Sequence, residues 1–377
     1  MRILFALHKI QDLGGIINHT EHLAWGFQQL GHEVSIVQLQ HGGLTNRKNY
    51  KREDGRFKSV FGIPADQFKG WAFPPEMRVN YEGKGEQTWQ FLARKHDLIV
   101  WEVPLPSKSV RGERAPWEHL TKVKTPQIFV VHDGNFIRNN FELAHLGVGH
   151  QFVAVHPCAS GTLSSVSVPH TMIVNPQRMD RQYKHFNWHR RRRVVGSLQT
   201  FKAWKRVNVF LQTVPGLRES EQVWLAGGGI MQRYLTSKTK VKRGYEPEIW
   251  NRAVKAGMVY HGYVSESDRD DLLQETRLLC DFSWSDNYVQ YGAHFNRVLV
   301  DALMMGCIPV AHVEMTDHKG FFEASRNYVP LSQDPRQDID EALCMSKRRA
   351  YEYWQEGQRL LKKFDAKKVA KKYLDLI

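Results

Sequence analysis

The sequence predicts an α/β fold in which two units of parallel strands and helices follow each other along the chain. The first observation is a βαβ pattern at the start: an apolar run at 3–7, a glycine-containing loop, a helical pattern ending at Gly31, and a second run at 34–37. The second is that these patterns lapse around 175–190 and restart at Arg193. The third is the length, because 377 residues are enough for about two domains.

Further strands are predicted wherever a short apolar run is bounded by polar or turn residues. In the first half these runs lie at 98–101, 128–131 and 152–155. In the second half the strands are predicted at 193–196, 223–226, 258–260, 278–282 and 308–310, and the helices at 267–276 and 297–305. We expect a first domain at 1–175, a second at 190–350, and a basic C-terminal helix at 351–377 that packs back on the first domain.

Charge, apolar runs and cysteine content limit the classes of protein to which the chain can belong. The chain carries 53 Lys+Arg against 39 Asp+Glu, a formal net charge of +14, which indicates an anionic partner such as nucleic acid, an acidic membrane surface or a phosphorylated ligand. No apolar run approaches the roughly 20 residues of a spanning helix, so we expect no stable membrane insertion. The start at 1–7 is typical of a strand and too short for a signal peptide. Four cysteines without CxxC spacing favour a reducing cytoplasm.

Two motifs are suited to phosphate groups. Gly14-Gly15 lies between the first strand and a helix, where backbone N–H groups face an anion, although a tight turn explains the same pair. The dinucleotide pattern GxGxxG is absent. Lys202 follows the strand that contains Gly196 and precedes a helix, so it can meet a diphosphate outside the strand ends. A solvated lysine in the first helical turn is the alternative.

Two carboxylates stand where a partner is needed. Asp301 lies among apolar residues on a predicted helix, where a ribose diol would satisfy it; a surface aspartate is the alternative. Asp133 follows an apolar strand, so it can take a proton from an acceptor alcohol, or it can cap a turn. His132 beside it can orient a sugar or pack against its neighbours.

Taken in order, these motifs resemble the retaining GT-B glycosyltransferases, from Met1 to about Val313. The resemblance rests on Gly14-Gly15 with His19, Glu21, Leu23-Ala24, Leu30 and Gly31-His32-Glu33-Val34, on His261-Gly262-Tyr263-Val264, on Asp281-Phe282-Ser283, and on the stretch from Asp301 to Val310. Within that family the chain is most similar to the DNA α-glucosyltransferases of T-even phages. That likeness is carried by Val130-Val131-His132-Asp133 with Arg138-Asn139-Asn140, by Asn175, Gln177, Met179 and Asp180, and by Gly196 with Lys202.

The resemblance implies two Rossmann-like domains facing a central cleft. It also implies retaining transfer of a hexose from a nucleotide-diphosphate sugar, with UDP-glucose expected, to a hydroxymethylated base in double-stranded phage DNA. No metal or other cofactor is expected, and we expect a monomer in the host cytoplasm. Asp133 and His132 are the implied catalytic residues. The implied donor-binding residues are Gly14, Gly15, Ser197, Lys202, Tyr263, Val264, Asn296, Arg297 and Asp301.

Two departures from the family pattern concern the donor. Ser197 stands where an arginine usually follows the glycine of the phosphate motif. The first of the family's paired glutamates falls at Ala293, and the second is Asp301. His294, Asn296 and Arg297 are the candidates to compensate. The identity of the donor is therefore less well defined by the sequence than its class.

Basic clusters interleaved with tryptophans predict an acceptor made of phosphates and bases. The expected acceptor or DNA contacts are Arg111, Arg114, Trp117, Arg138, Arg190, Arg191 and Arg192. A base inside a duplex would have to be flipped out to react. Two alternatives fit the same composition: a peripheral-membrane glycosyltransferase acting on a lipid-linked or polysaccharide acceptor, and a noncatalytic nucleic-acid-binding protein.

Overall fold

The structure of the protein is a computed structural model that describes residues 1–7, 15–38, 94–103, 124–132, 150–200, 203–227, 251, 255–262, 264 and 266–377. The chain divides into two compact units. The first unit comprises Met1–Arg178 with Phe364–Ile377, and the second unit comprises Met179–Lys363. Each unit contains its own six-stranded sheet, so the predicted pair of α/β units is confirmed.

The regular elements are short and alternate along the chain. The strands are β1 (Arg2–Leu7), β2 (Glu33–Gln38), β3 (Leu98–Val103), β4 (Gln127–Val131), β5 (His150–Ala154), β6 (Thr171–Met172), β7 (Val194–Leu198), β8 (Gln222–Ala226), β9 (Val259–Gly262), β10 (Leu278–Asp281), β11 (Ile308–His312) and β12 (Val329–Leu331). The α-helices are α1 (Gly15–Gln28), α2 (Pro157–Ser165), α3 (Val207–Thr213), α4 (Glu266–Glu275), α5 (Asp286–Tyr291), α6 (Arg297–Met304), α7 (Val313–Thr316), α8 (Pro335–Leu343), α9 (Lys347–Leu361) and α10 (Ala366–Leu374).

The sheet of the first unit is parallel throughout and runs in the order β2-β1-β3-β4-β5-β6. The apolar side chains at 3–6, 98–101 and 128–131 are buried, as expected for strands covered on both faces. The strand order reverses direction between β1 and β3. In open α/β sheets the carboxyl ends of the strands at such a switch point border the ligand crevice.

The end of the chain, which contains α10, is part of the first unit. Gln177 N donates to Phe364 O at 2.6 Å, and Ala366 N donates to Gln177 O at 2.9 Å. Helix α10 packs against α1 so closely that a Cβ on Gly26 would lie 2.3 Å from the Ala366 carbonyl oxygen. The buried residues of α10 lie on one face, whereas its four lysines, Lys367, Lys368, Lys371 and Lys372, are exposed.

The observed unit boundaries differ from the predicted ones at the C-terminus. The predicted tail at 351–377 contains the end of α9, and α9 lies within the second unit. Its Gly357 lies against α6, where a Cβ would be 2.7 Å from Leu303. Only 364–377 joins the first unit, because the apolar face of α9 is already covered by its neighbours in the second.

The sheet of the second unit is also parallel and runs in the order β12-β11-β10-β7-β8-β9. Its switch point lies between β7 and β10. Gly306 lies just after the end of α6, its φ of +77° favours glycine, and β11 begins two residues later. Among the residues that the structure describes, no helix is both long enough and apolar enough to cross a membrane.

Candidate active site

Three titratable side chains meet at the switch point of the first unit. Glu102 lies near the carboxyl end of β3, and His132 follows directly after β4. His19 comes from α1, the helix that follows β1. Their ligand atoms all lie within 4.8 Å of one another, and we call these three residues the His–Glu cluster. The parallel sheet therefore gathers residues that are far apart in sequence.

Hydrogen bonds hold the carboxylate of the His–Glu cluster in place. His132 Nε2 lies 2.6 Å from Glu102 Oε2, and Thr20 Oγ1 donates to Glu102 Oε1 at 3.0 Å. His19 Nε2 lies 3.8 Å from Glu102 Oε1. The two imidazole rings meet edge to face, with centroids 4.8 Å apart. Glu102 thus has an imidazole on each side.

Burial controls the protonation of these groups. It raises the pKa of Glu102 to about 7, against the opposing effects of His19 and the Thr20 hydrogen bond. Below the cluster, His156 Nε2 donates to the His132 carbonyl oxygen at 2.8 Å, and His156 Nδ1 accepts from Ala159 N at 3.1 Å. Burial lowers the pKa of His156 to about 4, so this histidine is neutral at pH 7.

Helix α10 adds a tyrosine to the surroundings of the cluster. The Tyr373 ring is buried with its centroid 6.4 Å from that of His19. Its hydroxyl makes no hydrogen bond within the described part of the chain. Burial and the Glu102 charge raise the pKa of Tyr373 well above its usual value, so the phenol keeps its proton.

The switch point of the second unit carries a buried chain of polar groups, which we call the lysine–aspartate chain. Lys205 Nζ donates to Asn296 Oδ1 at 2.7 Å, and Asn296 Nδ2 donates to Asp281 Oδ2. The other oxygen, Asp281 Oδ1, accepts from Gln199 Nε2 at 2.8 Å and from Ser283 N at 2.9 Å. The cation and the carboxylate are therefore linked through one amide and are both buried.

Asp301 is buried on α6, as the apolar pattern around it suggested. Its carboxylate is 3.5 Å from Arg269 Nη1 and 3.7 Å from Arg297 Nε. Arg269 also pairs with Asp270 at 2.7 Å, and Asp270 pairs with Arg181. Two guanidinium groups of the second unit, those of Arg269 and Arg297, thus lie beside Asp301.

The predicted donor residues fall in different places. Asn296 belongs to the lysine–aspartate chain, and Arg297 and Asp301 form an ion pair beside it on α6. Ser197 Oγ is buried at the end of β7 and donates to the Cys280 carbonyl oxygen at 3.0 Å. Val264 is half-buried. Gly15 is the first residue of α1.

Eight predicted site residues lie outside the described residues: Gly14, Arg111, Arg114, Trp117, Asp133, Arg138, Lys202 and Tyr263. Their assigned roles stay predictions. Of the predicted catalytic pair, His132 is described and Asp133 is not.

Arg191 corrects the prediction that the arginine run is one DNA-binding patch. Its side chain is buried, and its guanidinium donates to the carbonyl oxygens of Thr276, at 2.6 Å, and of Met305. These carbonyls end α4 and α6, and a buried arginine satisfies them. Arg190 and Arg192 are exposed, and Arg192 pairs with Glu221 at 3.2 Å.

Sequence reasoning missed Glu102, Lys205 and Asp281 as site residues. Lys205 lies three residues beyond the expected phosphate lysine, in the same segment after β7. In the structure Arg206, directly after Lys205, adopts φ +48° at the start of α3, and no sequence pattern marks this turn. Glu102 and Asp281 are acidic residues inside apolar strand runs, a pattern that itself indicates a buried partner.

Comparison with known proteins identifies the fold. No family model matches the sequence, and no curated protein matches it. Solved structures do match over the whole chain. HepE of Anabaena in complex with UDP aligns with a TM-score of 0.67 at 12% identity, covering 100% of this chain and 99% of that one. TarM of S. aureus, as a variant in complex with UDP and a GlcNAc-glycerol, aligns with a TM-score of 0.65 at 10% identity, with the same coverage.

A third match is an α-glucosyltransferase in complex with UDP-glucose and DNA containing an abasic site. It aligns with a TM-score of 0.62 at 11% identity, covering 100% of this chain and 99% of that one. These neighbours are GT-B glycosyltransferases. The chain has the GT-B fold. The predicted fold class is thereby confirmed.

Proposed function

We propose that this protein is a GT-B glycosyltransferase that moves a hexose from a UDP-sugar to a hydroxymethylated base in DNA, with retention of configuration. The observation that carries the proposal is the match over the whole chain to three glycosyltransferase structures that hold UDP or UDP-glucose. In the reaction, the bond between the anomeric carbon and the UDP oxygen breaks. The acceptor hydroxyl oxygen bonds to that carbon, UDP leaves, and the hydroxyl proton passes to a base.

The donor is assigned to the second unit. A UDP leaving group gains negative charge as the glycosidic bond breaks, and fixed cations stabilise it. Lys205 is buried, and its position is fixed by Asn296 and by the Trp204 ring, 4.1 Å from the ammonium nitrogen. A cation held in this way at a strand-end crevice suits a diphosphate. Lys202 and Arg297 remain the predicted partners, and Asp301 the predicted ribose ligand.

The acceptor side is assigned to the first unit. Asp133 directly follows His132 in the sequence, so the predicted general base is adjacent in the chain to a residue of the His–Glu cluster. His132 is fixed by Glu102 at its ring and by His156 at its carbonyl oxygen. A fixed neighbour favours a fixed position for the base, which general base catalysis requires.

DNA is the acceptor that the charge favours. The net charge is +14, and the four lysines of α10 form an exposed face on the first unit. One of the three neighbours was solved with DNA. A glycosyltransferase that acts on a lipid-linked or polysaccharide acceptor is the second candidate. It is favoured by the GlcNAc-glycerol in the TarM structure, and the same lysine face would attract an anionic lipid surface.

A labelling experiment tests the proposal. The purified chain is incubated with radiolabelled UDP-glucose and with duplex DNA that contains hydroxymethylcytosine, hydroxymethyluracil or neither, and product masses are measured. We expect label in hydroxymethylated DNA only. Label in a lipid extract but not in DNA supports the second candidate, and UDP affinity without any transfer supports a noncatalytic binder. A panel of other UDP-sugars identifies the donor.

A further inference from the structure

We propose that the His–Glu cluster is a binding site for one divalent transition-metal ion of the zinc class. Two imidazole nitrogens and one carboxylate, on α1, after β4 and on β3, provide three ligand atoms within 4.8 Å of one another. It is the one such group of three histidine, cysteine, aspartate or glutamate residues among those the structure describes. The proposed transfer uses the cluster only to fix His132, which precedes Asp133 in the sequence, and calls for no metal ion there.

The ligand set and its spacing suit a tetrahedral ion. Two histidines and one glutamate are the protein ligands of a common class of zinc site, which keeps a fourth position for water or substrate. Metal–ligand bonds of about 2.0–2.2 Å place tetrahedral ligand atoms roughly 3.3 Å apart. His132 Nε2 lies 2.6 Å from Glu102 Oε2 and His19 Nε2 lies 3.8 Å from Glu102 Oε1, while the ligand atoms of the three residues all lie within 4.8 Å of one another. Side-chain rotations that bring these atoms to about 3.3 Å from one another would form the site.

The groups around the cluster orient its ligands in the way that metal sites require. His19 Nδ1 lies 2.8 Å from Asn175 Oδ1, and an amide oxygen accepts, so Nδ1 carries a proton. In the neutral ring the lone pair is then on Nε2, the atom that lies 3.8 Å from Glu102 Oε1. A second hydrogen bond of this kind fixes the ring and the tautomer of most metal-binding histidines. Thr20 Oγ1 holds the carboxylate in the same manner.

The burial of the His–Glu cluster and the charge of its carboxylate favour the binding of a cation. The side chains of His19 and Glu102 are fully buried, and that of His132 is 9% exposed. A divalent ion would compensate the buried carboxylate without adding another side chain. The proposal revises the expectation that no metal is bound.

Metal content is the direct test, and it does not depend on transfer activity. The full chain is stripped with a chelator, dialysed against Zn²⁺ and then against metal-free buffer, and the bound metal is measured by mass spectrometry. Co²⁺ replaces Zn²⁺ for visible absorption, which reports tetrahedral coordination. We expect about one equivalent bound, with the intense Co²⁺ bands of a tetrahedral site.

Variants separate this site from adventitious binding. His132→Ala and Glu102→Gln should abolish stoichiometric binding, and Asn175→Ala should weaken it about 10- to 100-fold because the His19 ring is no longer oriented. His170→Ala is the matched control, since His170 lies in the same unit and bonds Ser160 instead. Circular dichroism checks that each variant is folded. Wild-type protein that retains no metal, or His132→Ala that retains as much as wild type, overturns the proposal.

Discussion

The two units share one sheet design and differ in the chemistry at its carboxyl edge. In the first unit, Glu102 is bonded by an imidazole and a hydroxyl, and a second imidazole lies 3.8 Å away. In the second unit, Asp281 is held by the amides of Gln199 and Asn296 and by the Ser283 hydroxyl, and Asp301 is held by guanidinium groups. Both edges bury carboxylates, but they compensate them with different partners.

This difference assigns different chemistry to each unit. Imidazoles change protonation near neutral pH, so the first edge can hold or move a proton, or bind a metal ion. Lysine and arginine stay charged, so the second edge is suited to an anion. The fold determines that the chemistry occurs at the strand ends, and the residues there determine which chemistry it is. The following predictions test that division.

The largest expected effect is on the acceptor side. Asp133→Asn should lower kcat by about 1,000-fold, because an amide cannot take the acceptor proton. Affinity for UDP should be unchanged, because the proposal assigns Asp133 to the acceptor. Initial rates and calorimetric UDP titration measure the two quantities, with the exposed Asp375→Asn as the matched control. A fully active Asp133→Asn would remove Asp133 from the mechanism.

The pH dependence of stability tests the first edge alone. The pKa of Glu102 is about 7 in the folded state against an ordinary value of 4.5, so the native state binds more protons than the unfolded chain between these pH values. The contribution of Glu102 to stability should therefore fall by about 3 kcal/mol as pH rises through this window. The difference in stability between wild type and Glu102→Gln should show this fall. Urea unfolding of both proteins, with a chelator present, measures it.

His156 makes stability depend on pH in the opposite direction, and the same experiment has to separate its effect from that of Glu102. Its pKa is lowered to about 4 from an ordinary value of 6.5, so the unfolded chain binds more protons in that window, and stability falls as pH drops through it. In wild type the two effects oppose each other where the windows overlap. The Glu102→Gln variant should then show stability rising with pH up to about 6.5. Parallel curves for the two proteins would contradict the raised pKa of Glu102.

The second edge should respond through donor affinity. Lys205→Ala should weaken UDP binding about 10- to 100-fold, because it removes the proposed charge-assisted hydrogen bond to the diphosphate. Lys202→Ala, measured beside it, determines which lysine binds the phosphates. The exposed Lys184→Ala is the control. Calorimetry that gives wild-type UDP affinity for Lys205→Ala would exclude this lysine from the donor site.

The sequence predicts the fold well because buried parallel strands appear as apolar runs. The predicted runs at 98–101, 128–131 and 308–310 lie inside β3, β4 and β11, and the helix predicted at 297–305 is α6 within one residue. The two-residue strand β6 and the three-residue β12 carry too little pattern to be predicted. The prediction placed residues 351–361 in the tail that packs on the first unit, whereas they belong to α9 in the second unit. The sequence of a basic amphipathic helix does not show which unit it packs against.

The site was less predictable, since its residues meet only through the fold. His132 and Glu102 are 30 residues apart, and His19 is far from both, so no local spacing links them. Lys205 was missed because Lys202, the first lysine after Gly196, already matched the phosphate motif. Arg191 was misassigned because a run of arginines is typical of a surface, whereas this side chain is needed by the carbonyl oxygens at two helix ends.

The smallest expected effect concerns the exposed lysines of α10. Lys368→Ala with Lys372→Ala should lower affinity for duplex DNA by about tenfold or less and reduce the slope of log K against log salt by about 0.9 for each phosphate that is no longer neutralised. Alanine preserves the helix, and neither lysine belongs to the buried face that packs on α1. The pair Lys347→Ala with Arg348→Ala, exposed on α9 of the second unit, is the matched control. Fluorescence anisotropy at several salt concentrations measures both. An unchanged salt slope for the α10 pair, with a reduced slope for the α9 pair, would move the DNA-binding face from the first unit to the second.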